Sequence, residues 1–320
     1  MTACDGALLP SSHFAVTIAI MKKQAAGLVV VVGSSNTDLV LNCKHLPRAG
    51  ETVLGGQFQT FAGGKGANQA VAAARAGAGV AFIGAHGNDD YGRTAKRGLQ
   101  TEGITTTHFK ARPGHTSGIA LILIGGKNND NIIGVAQSAN DTLDATDVQA
   151  AAAHFKRAAV VMAQLEVPLE AVQTTAEMAR ENQALFLLNP APARKLPTKL
   201  LKLVDVITPN ETEAEFLTGE SDPERAAQAL QKRGIKKVII TLGARGALLC
   251  DENGCRTIKA PKVKALDTVG AGDCFNGYLA AGLAAGKSFD EAAQWAVQAS
   301  ALAVTRPGAQ AGMPHAHEVQ

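Results

Sequence analysis

Ala158-Ala-Val-Val-Met-Ala163, Leu169-Glu-Ala-Val-Gln-Thr-Thr-Ala-Glu-Met-Ala-Arg-Glu181 and Leu185-Phe-Leu-Leu188 follow one another and decide the fold class. The outer two runs are short and continuously apolar, as strands buried on both faces are. The middle run spaces its apolar residues as an amphipathic helix does. Strand, helix and strand in this order form a crossover unit, which joins parallel strands.

The alternation extends both ways. Upstream, Leu28–Gly33 and Gly79–Ile83 read as strands, with helices over Gly66–Ala76 and Tyr91–Glu102. Downstream, Val204–Thr208, Val238–Leu242 and Ala247–Leu249 read as strands. Helices are expected near Glu211–Leu217, Pro223–Lys232, Gly272–Ala285 and Asp290–Thr305. The predicted fold is α/β: a Rossmann-like three-layer sandwich around a mostly parallel sheet. Two stretches break the pattern. Thr37–Cys43 with Thr52–Thr60, and Ser117–Ile124 with Ile132–Val135, read as strands without a helix between them. They predict a thin second sheet, which needs a ligand site, a partner subunit or both to cover.

Composition narrows the function classes. Hydrophobic residues make up 46% and charged residues 18% of the chain, so it folds rather than staying disordered. A net charge of +3 without a dense basic stripe disfavours nucleic acid as a partner. No apolar run is long enough to span a membrane. Cys4, Cys43, Cys250, Cys255 and Cys274 are dispersed without a C-x-x-C pair, which predicts mostly buried thiols and a reducing, cytoplasmic setting. Residues 1–27 read as a disordered leader and 28–320 as one domain, with no basic segment ahead of Ala15–Met21 to make a secretion signal.

Four runs carry chemistry, all at predicted strand ends. Gly63-Gly64-Lys65-Gly66-Ala67-Asn68 opens a helix, where glycines admit a ligand to free backbone N–H groups; alternatively it is only a tight turn. Asp267-Thr-Val-Gly270-Ala271-Gly272-Asp273 opens another. Its first amides form an anion cradle, and Asp273 beside it suits general-base work on a hydroxyl, or else merely complements the helix dipole. Asn210-Glu211-Thr212-Glu213 is either a capping box or a site where Glu213 reaches the water shell of Mg2+. Asn36 and Asp38 suit vicinal hydroxyls, or turn chemistry; Glu166 and the run Thr241–Gly246 follow their own strands.

These residues resemble the ribokinase family of carbohydrate kinases, the PfkB type. The resemblance runs from about Leu28 to about Met313 and includes Gly33–Asp38, Gly63–Ala70, Gln164–Glu166, Leu188–Ala193, Ile207–Glu215, Thr241–Gly246 and Asp267–Asp273. It implies ATP-dependent phosphorylation of D-ribose at O5, with Asp273 as base and Gly270, Ala271 and Gly272 as anion hole. Asn36, Asp38, Gly63, Gly64, Lys65, Asn68 and Glu166 correspond to sugar contacts. Asn210, Thr241, Gly243, Ala244, Arg245, Gly246, Gly272 and Val297 correspond to ATP contacts, and Glu213 to the Mg2+-linked acid. A K+ site is implied at Asp267, Val269, Ala303, Arg306, Gly308 and Gly312, and a homodimer through the lid strands near 37–60 and 117–135. Two residues depart from the pattern: Gly312 replaces a serine, and Val297 a histidine. Kinases of deoxyribose, fructose or a nucleoside, and a non-catalytic sugar-binding protein, are the alternatives.

Overall fold

A computed structural model describes residues 27–126 and 130–319. The expected leader therefore lies outside the described residues except for Gly27, whose N–H donates to the Ala284 carbonyl (2.9 Å). In chain order the strands are β1 Leu28–Val32, β2 Asn36–Asn42, β3 Gln57–Gly63, β4 Gly79–Gly87, β5 Thr105–Arg112, β6 Gly118–Gly125, β7 Asp130–Ala136, β8 Ala158–Ala163, β9 Leu185–Leu188, β10 Val206–Ile207, β11 Lys237–Thr241, β12 Ala247–Asp251 and β13 Gly254–Ile258.

Nine of these form the main sheet in the order β13-β12-β11-β10-β9-β8-β1-β4-β5. Every pairing is parallel except the two that add β12 and β13 at one edge. β1 shows why its sequence is uniformly apolar. Val30 and Val32 enter one core, with helices Leu169–Glu181 and Pro223–Lys232. Val29 and Val31 enter the other, with helices Lys65–Arg75, Ala271–Ala284 and Phe289–Ala303. All four valines are fully buried, and each contributes about 1.5–3 kcal/mol of transfer free energy. The three-layer expectation is met.

Several boundaries differ from expectation. β10 spans two residues rather than five, because the Asp205 carboxylate takes the Phe186 N–H (2.9 Å) beside it. β3 begins at Gln57, after Gly55 and Gly56 at positive φ, not at Thr52. β5 and β13 went unforeseen: both lie at sheet edges and carry mixed polar sequences.

The small sheet has the order β3-β2-β6-β7, with β2 and β6 parallel. Strand alternation puts Asn36, Asp38 and Val40 on one face and Thr37, Leu39 and Leu41 on the other.

The expectation of mostly buried thiols is corrected at the β12–β13 hairpin. Cys250 and Cys255 are directly opposed there and form a disulfide, with Cα atoms 4.2 Å apart. Pairing across a tight hairpin leaves no spacing motif, so the sequence did not reveal it. Cys43 and Cys274 are free.

The chain past Gly308 is clamped to the rest. Arg75 pairs with Glu102 (2.6 Å) and donates to the carbonyls of Gln310 (2.6 Å) and Met313 (2.8 Å). The Tyr278 hydroxyl donates to the Pro314 carbonyl (2.9 Å), and Arg306 pairs with Glu318 (2.7 Å).

Candidate active site

The site forms where β1, β3 and β8 end and β2 begins, against two helix starts. Gly64 precedes helix Lys65–Arg75 at φ 88°, a conformation that favours glycine. A Cβ there would lie 2.7 Å from Ser35 Cα, so this glycine also admits a close backbone approach. Ala67 N–H donates to Ser34 O (2.9 Å), anchoring the helix start on the loop after β1. Glu166, past β8, accepts from the Ser34 hydroxyl (2.6 Å) and the Lys65 N–H (3.0 Å) with one carboxylate oxygen. Its other oxygen makes no hydrogen bond among the described residues.

Asp273 sits in the first turn of helix Ala271–Ala284 and is buried. Asn68 donates to its Oδ2 and Gln69 to its Oδ1, both at 2.9 Å. Burial pushes the Asp273 carboxyl above its ordinary value. The Lys65 ammonium and the two amide donors oppose that shift, while Glu166 adds to it. For Lys65, burial pulls downward, but Asp273, Glu166 and Glu213 outweigh it and hold the ammonium above the usual lysine value. Asp38 is pushed up to about 6, mainly by burial and then by the charges of Glu166 and Asp273. Asp273 is thus a desolvated carboxyl group kept oriented on both oxygens.

The helix start is the expected place of an anion cradle. Gly270 caps it at φ 76°, and Cys274 N–H makes the first return bond, to Gly270 O (2.8 Å). Within the expected anion hole, Ala271 N–H donates to Thr268 O (3.3 Å). The Gly272 and Asp273 amides have no such partner among the described residues.

Beside this cradle is a cavity of about 390 Å³. Thr241, Gly243, Ala244, Gly246, Gly272 and Val297 line it, as expected of a nucleotide site. Asn210 and Arg245 do not. Asn210 caps helix Glu211–Thr218 in a reciprocal capping box with Glu213, and Arg245 pairs with Glu211. Burial raises the Glu213 carboxyl, against the Asn210 N–H and Lys65. Among the described residues, no group of three His, Cys, Asp or Glu side chains is arranged to hold a metal ion.

The residues expected to hold a cation make two sets of contacts. Asp267 accepts from the N–H groups of Val269 (2.9 Å) and Gly308 (2.8 Å). The carbonyl oxygens of Ala303 and Arg306 lie 3.2 and 3.3 Å from where a Gly312 Cβ would stand. Gly312 therefore leaves open a cradle that a side chain would narrow, and its oxygen donors suit a monovalent cation.

Sequence reasoning missed Ser34, Gln69 and Asn140, and the cavity wall from Ala260, Pro261 and Lys262. Asn140 donates to Asn36 Oδ1 (2.8 Å) across 104 positions, a pairing no local pattern carries. Gln69 was within reach of the motif reading, because it follows Asn68 on the helix that the glycines open.

A carbohydrate-kinase model, "pfkB family carbohydrate kinase", matches residues 26–316. The chain belongs to that family. It is 43% identical over 295 residues to a ribokinase of Haemophilus influenzae, covering 91% of this chain and 96% of the relative. It is 36% identical to a deoxyribokinase of Salmonella typhimurium, covering 89% and 95%. Among solved structures, Arabidopsis thaliana ribokinase complexed with ribose and ATP superimposes with a TM-score of 0.84 at 30% identity, covering 92% and 97%.

Proposed function

We propose that the chain transfers the γ-phosphoryl group of ATP to O5 of D-ribose, as a ribokinase, with Asp273 as general base. The observation that carries this reading is the buried Asp273 carboxylate, held on both oxygens at a helix start beside the nucleotide-sized cavity. Asp38, Glu166, Lys65 and Asn68 hold the sugar's hydroxyls, with Asn36, Gly63 and Gly64 shaping the site. Asp273 takes the O5 proton, and that oxygen attacks the phosphorus in line. The Gly272 and Asp273 amides face the developing charge, so positioning supplies most of the acceleration.

Mg2+ bound with ATP would neutralise charge on the phosphates, held by them and by water, with Glu213 reaching that water. K+ in the cradle of Asp267, Val269, Ala303, Arg306 and Gly308 would add a positive field beside Gly270. ATP as co-substrate suits a cytoplasmic location. The outer lid face, with Leu121, Phe58 and Ile132 each more than half exposed, supports a homodimer through the small sheets.

The test is a coupled ADP-release assay across ribose, deoxyribose, fructose and adenosine, with and without K+. Asp273→Asn is expected to lower kcat by at least ~10²-fold. Near-wild-type kcat in that variant removes Asp273 from the role. Deoxyribose is the second reading, favoured by the deoxyribokinase similarity; a higher kcat/KM for it than for ribose would establish it.

A further inference from the structure

Asp273 is the visible end of a closed ring of buried side chains. Gln69 Nε2 donates to Asp273 Oδ1 (2.9 Å) and to Asn189 Oδ1 (3.0 Å). Asn189 Nδ2 donates to the Thr208 carbonyl (2.9 Å). The Thr208 hydroxyl donates to Asn276 Oδ1 (2.5 Å), and Asn276 Nδ2 donates to the Gly272 carbonyl (2.8 Å). The ring leaves helix Ala271–Ala284 at its first turn, passes helix Lys65–Arg75 and the ends of β9 and β10, and returns to the same helix. Gln69 is fully buried, and Asn189, Thr208 and Asn276 are at most 6% exposed.

Donor and acceptor accounting fixes the direction of Gln69, Asn189 and Asn276. The ionised Asp273 carboxylate can only accept, so the end of Gln69 facing it must be the donor, and its Oε1 then takes Gln164 Nε2 (2.6 Å). Asn189 gives its Nδ2 to Thr208, so its oxygen faces Gln69. A flipped Gln69 would set its oxygen against the Asp273 carboxylate and the Asn189 oxygen together. The backbone enforces the same contact. A Cβ on Gly277 would lie 2.6 Å from Gln69 O, so this glycine lets the two helices touch at that level. No other donor among the described residues reaches Asp273 Oδ1.

We propose that Gln69 is a positioning residue for phosphoryl transfer: it orients the Asp273 carboxylate and, through Asn189, Thr208 and Asn276, locks that carboxylate to the helix turn carrying Gly272. A kinase of this kind needs its base and its anion cradle in one fixed relation, because both act on the same in-line transfer. Gln69 sets that relation from beneath without touching the sugar, whereas Asn68 lies on the sugar side. The inference rests on Asp273 being the base.

The charged groups facing Asp273 are Lys65, Glu166, Asp38 and Glu213, with the Cys274 thiol next in sequence. None of them replaces the Gln69 donor on Oδ1. Gln69→Met keeps the side-chain length and removes all three side-chain hydrogen bonds, to Asp273, Asn189 and Gln164. It is expected to lower kcat roughly 10–100-fold, the cost of a misplaced reacting group, with ribose KM within about threefold of wild type. The acid limb of the kcat/KM profile should move to higher pH, because the carboxylate loses one of two stabilising donors. Gln69→Glu keeps the shape and sets a second carboxyl against Oδ1, so its acid limb should move further.

A merely structural Gln69 would lower the melting temperature, leave the acid limb in place and weaken sugar and nucleotide binding alike. That pattern, or kcat within twofold of wild type, overturns the proposal. If Gln69→Met yields no folded protein, Gln69→Glu alone decides by its acid limb. Asp273→Asn runs alongside. If Asp273→Asn keeps wild-type kcat, the base assignment fails; if it is inactive while the Gln69 variants behave as wild type, only the positioning role fails.

Discussion

Sugar affinity should fall on mild acidification, and Asp38 sets the midpoint. In the proposed role its carboxylate accepts strong, charge-assisted hydrogen bonds from sugar hydroxyls when ionised, and protonation weakens them. In the empty site its midpoint lies at about 6, raised by burial and by Glu166 and Asp273. About nine-tenths of the molecules then carry the charge near pH 7, and about one-tenth near pH 5. Apparent affinity scales with the competent fraction, so the ribose Kd should rise roughly tenfold across that interval. Calorimetric titration of ribose without nucleotide measures it. In Asp38→Asn the dependence should largely vanish, and any remaining slope belongs to Asp273. Stability should move the other way. The folded midpoint lies above the ordinary 3.8, so the empty protein takes up a proton that the unfolded chain releases. This group therefore favours the folded state increasingly as pH falls from about 6 toward 4, readable as a rise in melting temperature relative to Asp38→Asn. A Kd that stays flat from pH 7 to 5 in the unaltered protein would refute the reasoning.

Three further outcomes are open to test. Gly63→Ala would place a methyl on the Asp38 carboxylate, at a backbone conformation alanine tolerates. The carboxylate must swing aside, forfeiting about 1.5–3 kcal/mol per charged hydrogen bond, so ribose KM should rise at least tenfold with ATP KM unchanged. Gly312→Ser would add a hydroxyl near the Ala303 and Arg306 carbonyls, and the K+ concentration for half-activation should drop; an unchanged value argues against the cradle. The unaltered protein should sediment as a dimer, and Leu121→Lys with Ile132→Lys should give monomers.

Legibility followed burial. β1, β8 and β9 are apolar on both faces, so their sequences announce them, whereas β5 at the sheet edge reads Thr105-Thr-Thr-His-Phe-Lys110 and announces nothing. In the site, Gly63–Asn68 and Gly270–Asp273 stood out because helix starts that meet ligands require glycines. Asn210 and Glu213 were legible as a motif, yet their capping box satisfies much of that motif by itself. Asn140, Asn189 and Asn276 were hidden for another reason: lone buried amides carry meaning only through partners from distant segments. The Cys250–Cys255 bridge was hidden likewise, being a matter of strand register rather than spacing.

The clamp around Gln310, Met313 and Pro314 has a practical consequence. Arg75 and Tyr278 grip these carbonyls from the two helices that bear Asn68 and Asp273, and Gln310 donates to Asn68 Oδ1 (3.0 Å). A deletion after Gly308 would leave Arg75 Nη1 and a buried phenol without acceptors, although Glu102 would still hold the rest of that guanidinium, and would loosen the amide that steadies the Asp273 carboxylate. Affinity tags therefore belong at the amino end, and resistance of the carboxy-terminal dozen residues to limited digestion is a sensitive gauge of an intact site.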